Sequence, residues 1–364
     1  MPPEKRLKKS CLPCVALVVS AVIGCQDATT NRTSDGDPAG SADRPRVAYV
    51  TNGVASFWVI ADAGVEAGGR EFDADVETIM PTGGASDQQR ILQDLVSKKV
   101  DGIAVSPIDP DNQTGLINEL SGYTKIITHD SDAPRSDRLA YIGVDNYEAG
   151  LMCGRLVRES LAAKRPGGGG KVAIFVGRLE QDNAKRRRQG TIDGLLRRDG
   201  DPDAMYPAGE VIEQDGYAIV GTYTDQFDRA VAKANAEDVL SRHPDIDVMV
   251  GLFAYNPPMI LEALRQADRD GEVAVVAFDE DDATLEGIKS GVVHGTVVQN
   301  PFEYGRQSVR VLAGLVRGES LSELGIDESG IKHIPPRSIT AANVDEFREE
   351  VRRNLGEEAA ADAG

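Results

Sequence analysis

The sequence predicts an α/β protein built as two doubly wound parallel-sheet lobes. Three observations carry that expectation. Short, β-branched, nearly all-apolar runs recur at 47–52, 102–107, 125–130, 172–177, 248–253 and 272–279. Runs without polar alternation read as strands buried on both faces, as in a parallel sheet. Each run ends in small or polar residues and a helical stretch follows, which makes a series of βα units. A chain of 364 residues also exceeds what one core usually serves, and the units come in two consecutive sets with no helix-rich or all-β interruption. Lobes of this kind close on a ligand by hinge motion.

The first strand, 47–51, leads into the turn 52–58 and a helix from about 57 to 71. In a chain with 5% aromatic residues and a single Trp, the adjacent Phe57 and Trp58 at a strand's carboxyl end suit the C–H faces of a sugar ring or an apolar ligand edge. A hydrophobic plug at the helix start is the plain alternative. The second strand is 75–80, and Ser86 is the expected cap of the next helix. The third strand ends at Ser106, before a helix capped by Asp111 or Asn112. The fourth ends at His129 and Asp130, the fifth is 141–146, and a helix runs on through 161. The glycine run 167–170 lacks phosphate-loop spacing and precedes a strand, so it reads as a loop. The second set follows as strand 171–177, helix 183–197, a strand near 211, helix 227–241, strand 247–252, helix 258–267 and strand 273–278. That last strand stops abruptly at Asp279, ahead of Glu280, Asp281 and Asp282. Ligands of open α/β sheets bind outside the carboxyl ends of the strands, so Asp279 is the first residue to place in a site.

A formal charge of −19 argues against a nucleic-acid partner, since phosphate backbones are held by Lys and Arg; solubility accounts for most of it. At the N-terminus, Lys5, Arg6, Lys8 and Lys9 precede an apolar stretch at 14–23 that is too short to span a bilayer. It ends in Val22-Ile23-Gly24-Cys25, which resembles a bacterial lipobox with Cys25 as the lipidated first residue of the mature chain; an ordinary export signal is the alternative. Residues 26–44 carry almost nothing apolar and read as a flexible tether, and 346–364 as an acidic tail. Of four cysteines, Cys11 and Cys14 leave with the signal and Cys25 carries lipid. Only Cys153 remains, a packed core thiol, which permits neither a disulfide nor a thiol-based metal site in the mature fold. No cofactor is expected.

The strand-end residues carry a family likeness. Ala55-Ser56-Phe57-Trp58, Ser106-Pro107 with Asp109, Thr128-His129-Asp130-Ser131, Val144-Asp145-Asn146, Gln181-Asp182-Asn183-Ala184-Lys185 with Arg187 and Gly190, Phe227-Asp228-Arg229, Ala254-Tyr255-Asn256, Phe278-Asp279 and Val298-Gln299 stand in order over roughly 45–340. In them the chain resembles the bacterial periplasmic sugar-binding proteins of the ribose, xylose and galactose type, the extracytoplasmic receptors of ABC importers. The resemblance implies the type I periplasmic binding protein fold, with two lobes joined by three hinge crossovers around a cleft. The lobes would be 45–144 plus 300–331 and 145–299 plus 332–345. It further implies that Phe57 and Trp58 stack on the ligand from one lobe and Phe227 from the other, and that Asp130 and Asp279 accept ring hydroxyl protons. Asn256 and Gln299 match amides near the hinge, and Ser106 stands where the family often has Asn. Asn183 and Lys185 fall in a segment closer to the xylose-type members, with Lys185 near the family's basic ligand contact. Within Lys185-Arg186-Arg187-Arg188 a solvated basic helix face is the plain alternative. Three positions depart from the pattern: Ser131 replaces an Arg, Ala55 an Asn, and Pro257-Pro258 the Asp after the amide. The implied partners are a monosaccharide and ABC permease subunits, for a monomer held at a membrane through lipid alone, in the periplasm.

An enzyme acting on a small polyol is one rival reading, but the chain has no HExxH, GxSxG, helix-opening GxGxxG or GKS/GKT loop. His129 beside Asp130 is the one candidate base, and it is better read as a strand-end residue shaping a pocket. A transcription regulator on this fold would need an N-terminal helix-turn-helix where the chain has an export signal. A sugar-sensing receptor for a signalling partner differs only in what docks outside.

Overall fold

The computed structural model describes residues 44–198, 200 and 205–357. The expected signal, Cys25 and nearly all of the tether lie outside the described residues. The first half of the chain gives β1 (Arg46–Val50), α1 (Ser56–Glu71), β2 (Asp75–Ile79), α2 (Gly84–Ser97), β3 (Gly102–Val105), α3 (Pro110–Ser121), β4 (Lys125–His129) and β5 (Tyr141–Gly143). The second half gives α4 (Asn146–Lys164), β6 (Gly170–Val176), α5 (Asp182–Leu196), β7 (Ile212–Gln214), β8 (Tyr217–Thr224), α6 (Arg229–Arg242), β9 (Val248–Gly251), α7 (Asn256–Gln266), β10 (Ala274–Phe278), α8 (Asp282–Ser290) and β11 (Val293–Val298). Then come α9 (Pro301–Val316), β12 (Ile331–His333), β13 (Arg337–Ile339) and α10 (Val344–Leu355).

These make two sheets, in the order β12-β5-β4-β3-β1-β2 and β13-β11-β10-β9-β6-β8-β7. The first is parallel throughout; the second has an antiparallel strand at each edge, β13 and β7. Helices cover both faces, so central strands such as β3 and β10 are buried along their whole length. Among the described residues the chain passes between the sheets three times, from β5 to α4, from β11 to α9 and from β12 to β13. The fold is thus the two-lobed, doubly wound α/β arrangement with three crossovers.

Small residues set how closely the paired helices approach. In α1 against α9, a Cβ on Gly64 would lie 1.9 Å from the carbonyl oxygen of Phe302. In α4 against α5, a Cβ on Gly190 would lie 2.1 Å from the carbonyl oxygen of Tyr147. The second contact seats α5, which carries several of the site residues described below.

Several local expectations give way. The strand near 211 is an antiparallel pair, β7 and β8, and β8 is the direct neighbour of β6. The fifth strand stops at Gly143 because Asp145 turns to cap α4, accepting from the backbone amides of Tyr147 and Glu148. Asp109 caps α3, not Asp111 or Asn112. Ser86 caps nothing: α2 begins at Gly84, and the Asp87 carboxylate reaches back to the amides of Thr82 and Gly83, at 3.2 Å each. The acidic tail expected from 346 is helical up to Leu355, because Val344, Phe347 and Val351 form one apolar face against the second sheet's core.

Candidate functional site

Two carboxylates stand at matching places in the two lobes. Asp130 follows β4 and Asp279 follows β10, both with left-handed backbone, at φ 56° and 64°. An Asp tolerates that conformation better than most residues, and it swings the side chain off the line of the strand. Both are buried. Asp130 Oδ2 accepts from Ser106 Oγ (3.0 Å), Asn52 Nδ2 (3.3 Å) and Asn183 Nδ2 (3.1 Å), and none of these three bonds goes to Oδ1. The bond from Asn183, on α5, runs from one lobe to the other. Asp279 Oδ1 accepts from Gln299 Nε2 at 2.7 Å, and the amide oxygen of Gln299 accepts from Tyr304 Oη at 3.0 Å. Burial pushes the Asp130 carboxyl up to about 6, with Arg187 pulling it down and the Asp279 charge pushing it further up. Burial likewise raises Asp279, against Arg187 and Gln299.

Arg187 lies between them. Its side chain is 1% exposed, with Nη1 3.8 Å from Asp279 Oδ2. Nη1 donates to the Leu252 carbonyl at 2.8 Å, while Nη2 and Nε donate to Asn146 Oδ1 at 2.9 and 3.3 Å. Its guanidinium carbon lies 4.0 Å from the centre of the Phe278 ring. Asn183 and Arg187 are four residues apart on α5 and so share a face. Lys185 falls halfway between them on the opposite side. It does not line the cavity: its Nζ is 3.9 Å from Asp111 Oδ2, which corrects the expectation that it contacts ligand. Nor is the basic run a solvated face, since Arg188 is buried too, donating to Thr222 Oγ1 and the Tyr206 carbonyl.

The walls are aromatic. Phe57 and Trp58 open α1 with ring centres 4.7 Å apart at 90°. Phe227 comes from the other lobe, stacked on Phe253 at 5.8 Å and 4° between planes. Gln226 and Phe227 are consecutive left-handed residues, at φ 57° and 66°, which is strained for a bulky side chain. Asp225 holds the turn by accepting from the Phe227 amide at 2.9 Å. Together these groups enclose a cavity of about 190 Å³ whose wall includes Phe57, Trp58, Asp130, Asn183, Phe227, Asp279 and Gln299.

Three other expected residues stand outside that wall. Ser106 sits behind Asp130 as its donor. Asn256 is turned inward: its Oδ1 accepts from the Phe253 amide and its Nδ2 donates to Asp225 Oδ2 at 2.8 Å, so it braces the turn that presents Phe227. Lys185 is accounted for above. His129 is fully buried and stacked on Tyr49 at 3.9 Å, with burial pulling its pKa to about 3, so it sits inside the core and not at a cleft edge. Sequence reasoning missed Asn52, Gln181 and above all Arg187 as parts of the cavity wall. The spacing from Asn183 is the signal that would have found Arg187.

Comparison with known proteins agrees with this fold. The model of the periplasmic binding protein domain family matches residues 47–320. The ribose import binding protein of Salmonella typhimurium is 27% identical over 234 residues, 63% of this chain and 70% of that protein. The xylitol-binding protein of Mycolicibacterium smegmatis is 26% identical over 290 residues, 79% of this chain and 76% of that protein. Among solved structures, an ABC transporter solute-binding protein from Burkholderia graminis in complex with D-arabinose superposes with a TM-score of 0.72 at 25% identity, covering 84% of this chain and 98% of that one.

Proposed function

The chain belongs to the periplasmic binding protein family, and on that premise we propose that it binds a monosaccharide reversibly between its lobes and delivers it to an ABC-type permease. The observation that carries this reading is the convergence of Asp130, Asp279 and Arg187 inside an aromatic-walled cavity. A polyol presents many hydroxyls on a compact ring, each able to donate one hydrogen bond and accept two. Asp130 and Asp279 accept hydrogen bonds from ring hydroxyls, Arg187 and the amides of Asn183 and Gln299 donate to hydroxyl oxygens, and Phe57, Trp58 and Phe227 cover the C–H faces. A cavity of about 190 Å³ lies below the roughly 300–1,000 Å³ of drug-sized sites, which suits a single sugar ring. The relatives are named as binding and import proteins, and reversible binding requires no bond of the ligand to break.

The basic N-terminal stretch and Val22-Ile23-Gly24-Cys25 support export with a lipid on Cys25, which would hold a monomer at the outer face of a membrane beside its permease. Thermal-shift screening of pentoses, hexoses and polyols tests the central reading. A cognate sugar at a hundred times its Kd should stabilise the fold by about 2.7 kcal/mol, and the fluorescence of Trp58, the chain's single Trp, should change on binding. A complete panel that moves neither signal refutes it.

A further inference from the structure

We infer that Gln181 is a specificity-determining residue that reads a pair of adjacent hydroxyls on the bound sugar, an inference that rests on the sugar-binding reading above. Gln181 closes the short loop 177–181 between β6 and α5 and occupies the cap position of α5, yet its side chain makes no capping bond. It is fully buried and belongs to the cavity wall. Neither Nε2 nor Oε1 has a hydrogen-bond partner among the described residues. Three other polar groups of the wall already make protein bonds: Asp130 with three donors, Asp279 with Gln299, and Arg187 with Asn146 and Leu252. The same loop contributes a second buried atom without a partner, Nε of Arg178, whose guanidinium lies 5.4 Å from the centre of the Phe227 ring.

Native interiors seldom retain a buried amide with both atoms unpaired, and such a group calls for an explanation. An amide offers what neither an ionised carboxylate nor a guanidinium offers alone, an acceptor and a donor side by side. Two neighbouring ring hydroxyls are the complement, one donating to Oε1 while the other accepts from Nε2. A sugar lacking either one would leave half of the amide buried and unpaired, and a site built to pair a hydroxyl rejects the analogue without it.

The test is calorimetry on the full chain with D-ribose, D-allose, D-arabinose, D-galactose and xylitol, followed by every monodeoxy analogue of whichever binds most tightly. The near-isosteric Gln181→Met should weaken the parent sugar about 10- to 100-fold. It should also abolish the preference for hydroxyls at two adjacent positions, while the penalty for deleting any other hydroxyl stays as in the wild type. Gln181→Glu keeps the acceptors and loses the donor, and should retain discrimination at one of the two positions only. Melting without sugar checks that both variants are folded; Gln181→Met should melt no lower than the wild type, since no protein bond is lost. Wild-type affinity in Gln181→Met, or an equal loss for all analogues, overturns the inference while leaving sugar binding intact. If none of the five sugars binds the wild type, the sugar-binding reading fails and this one falls with it.

Discussion

Replacing Arg187 with Met keeps an unbranched apolar stem and removes one buried guanidinium. The structure states what that strands. Asn146 Oδ1 loses donors at 2.9 and 3.3 Å, the Leu252 carbonyl loses one at 2.8 Å, and Asp279 loses the cation 3.8 Å away. An orphaned neutral acceptor costs about 1–3 kcal/mol, and breaking a buried ion pair from one side about 3–5 kcal/mol. These overlap, because the guanidinium's own desolvation is relieved, so the expected loss of folding stability at pH 7 is about 3–5 kcal/mol in total. The sign of its pH dependence follows from Asp279, whose carboxyl burial already raises. A raised carboxyl contributes stability that is full below its unfolded value and is lost as pH rises through its folded value. Without Arg187 that folded value climbs further, so the deficit should be smaller at pH 5 than at pH 8. Urea denaturation followed by circular dichroism at both pH values measures it. A loss below about 1 kcal/mol, or one that is equal at the two pH values, would refute the placement of Arg187 as the counter-charge of Asp279.

Four further outcomes are expected. Sugar hydroxyls favour the ionised form of Asp130, whose carboxyl burial pushes up to about 6; affinity should therefore rise from pH 5 to pH 7, by up to about tenfold per unit below that value, and calorimetry showing a flat profile would contradict it. The same raised carboxyl makes its share of folding stability without sugar greatest in acid and lost as pH rises through about 6. Gly190→Ala places a Cβ 2.1 Å from a backbone oxygen of α4 and should cost about 3 kcal/mol or more, whereas Gly115→Ala in α3, with nothing within 4 Å, should stabilise by about 0.5–1 kcal/mol; paired melting curves compare them. Lys185→Ala should change sugar affinity less than about fivefold, because its ammonium faces Asp111 and surface pairs contribute about 0–1 kcal/mol; a tenfold loss by calorimetry would return it to the site.

The lobes and both carboxylates were legible because a strand buried on both faces is written as a continuous apolar run, and an Asp that ends such a run has few places to go but the crevice. Strand β8 was not, since Tyr217–Thr224 is only partly buried and carries Thr and Gly rather than an apolar run. The apolar period of α10 was present in Val344, Phe347 and Val351, but the acidic residues between them read as a tail. Arg187 was hidden for a related reason. Four basic residues in a row declare charge and not direction, and only the turn of the helix separates the inward Arg187 from the outward Lys185. Asn256 shows the complementary limit: its residue type suits a ligand, yet its amide is spent on Asp225 and the Phe253 backbone.

The triple passage between the lobes constrains how the molecule can be made. The first sheet lacks its edge strand β12 and its covering helix α9 until the other lobe has been synthesised as far as β11, and that lobe in turn waits for β13 and α10. A chain emerging amino-terminus first therefore holds two unfinished halves, with the face of α1 around Gly64 bare until Phe302 arrives. Neither half is a transplantable module, and a break at 144 or 300 would yield fragments that regain a complete sheet only by reassembling with each other.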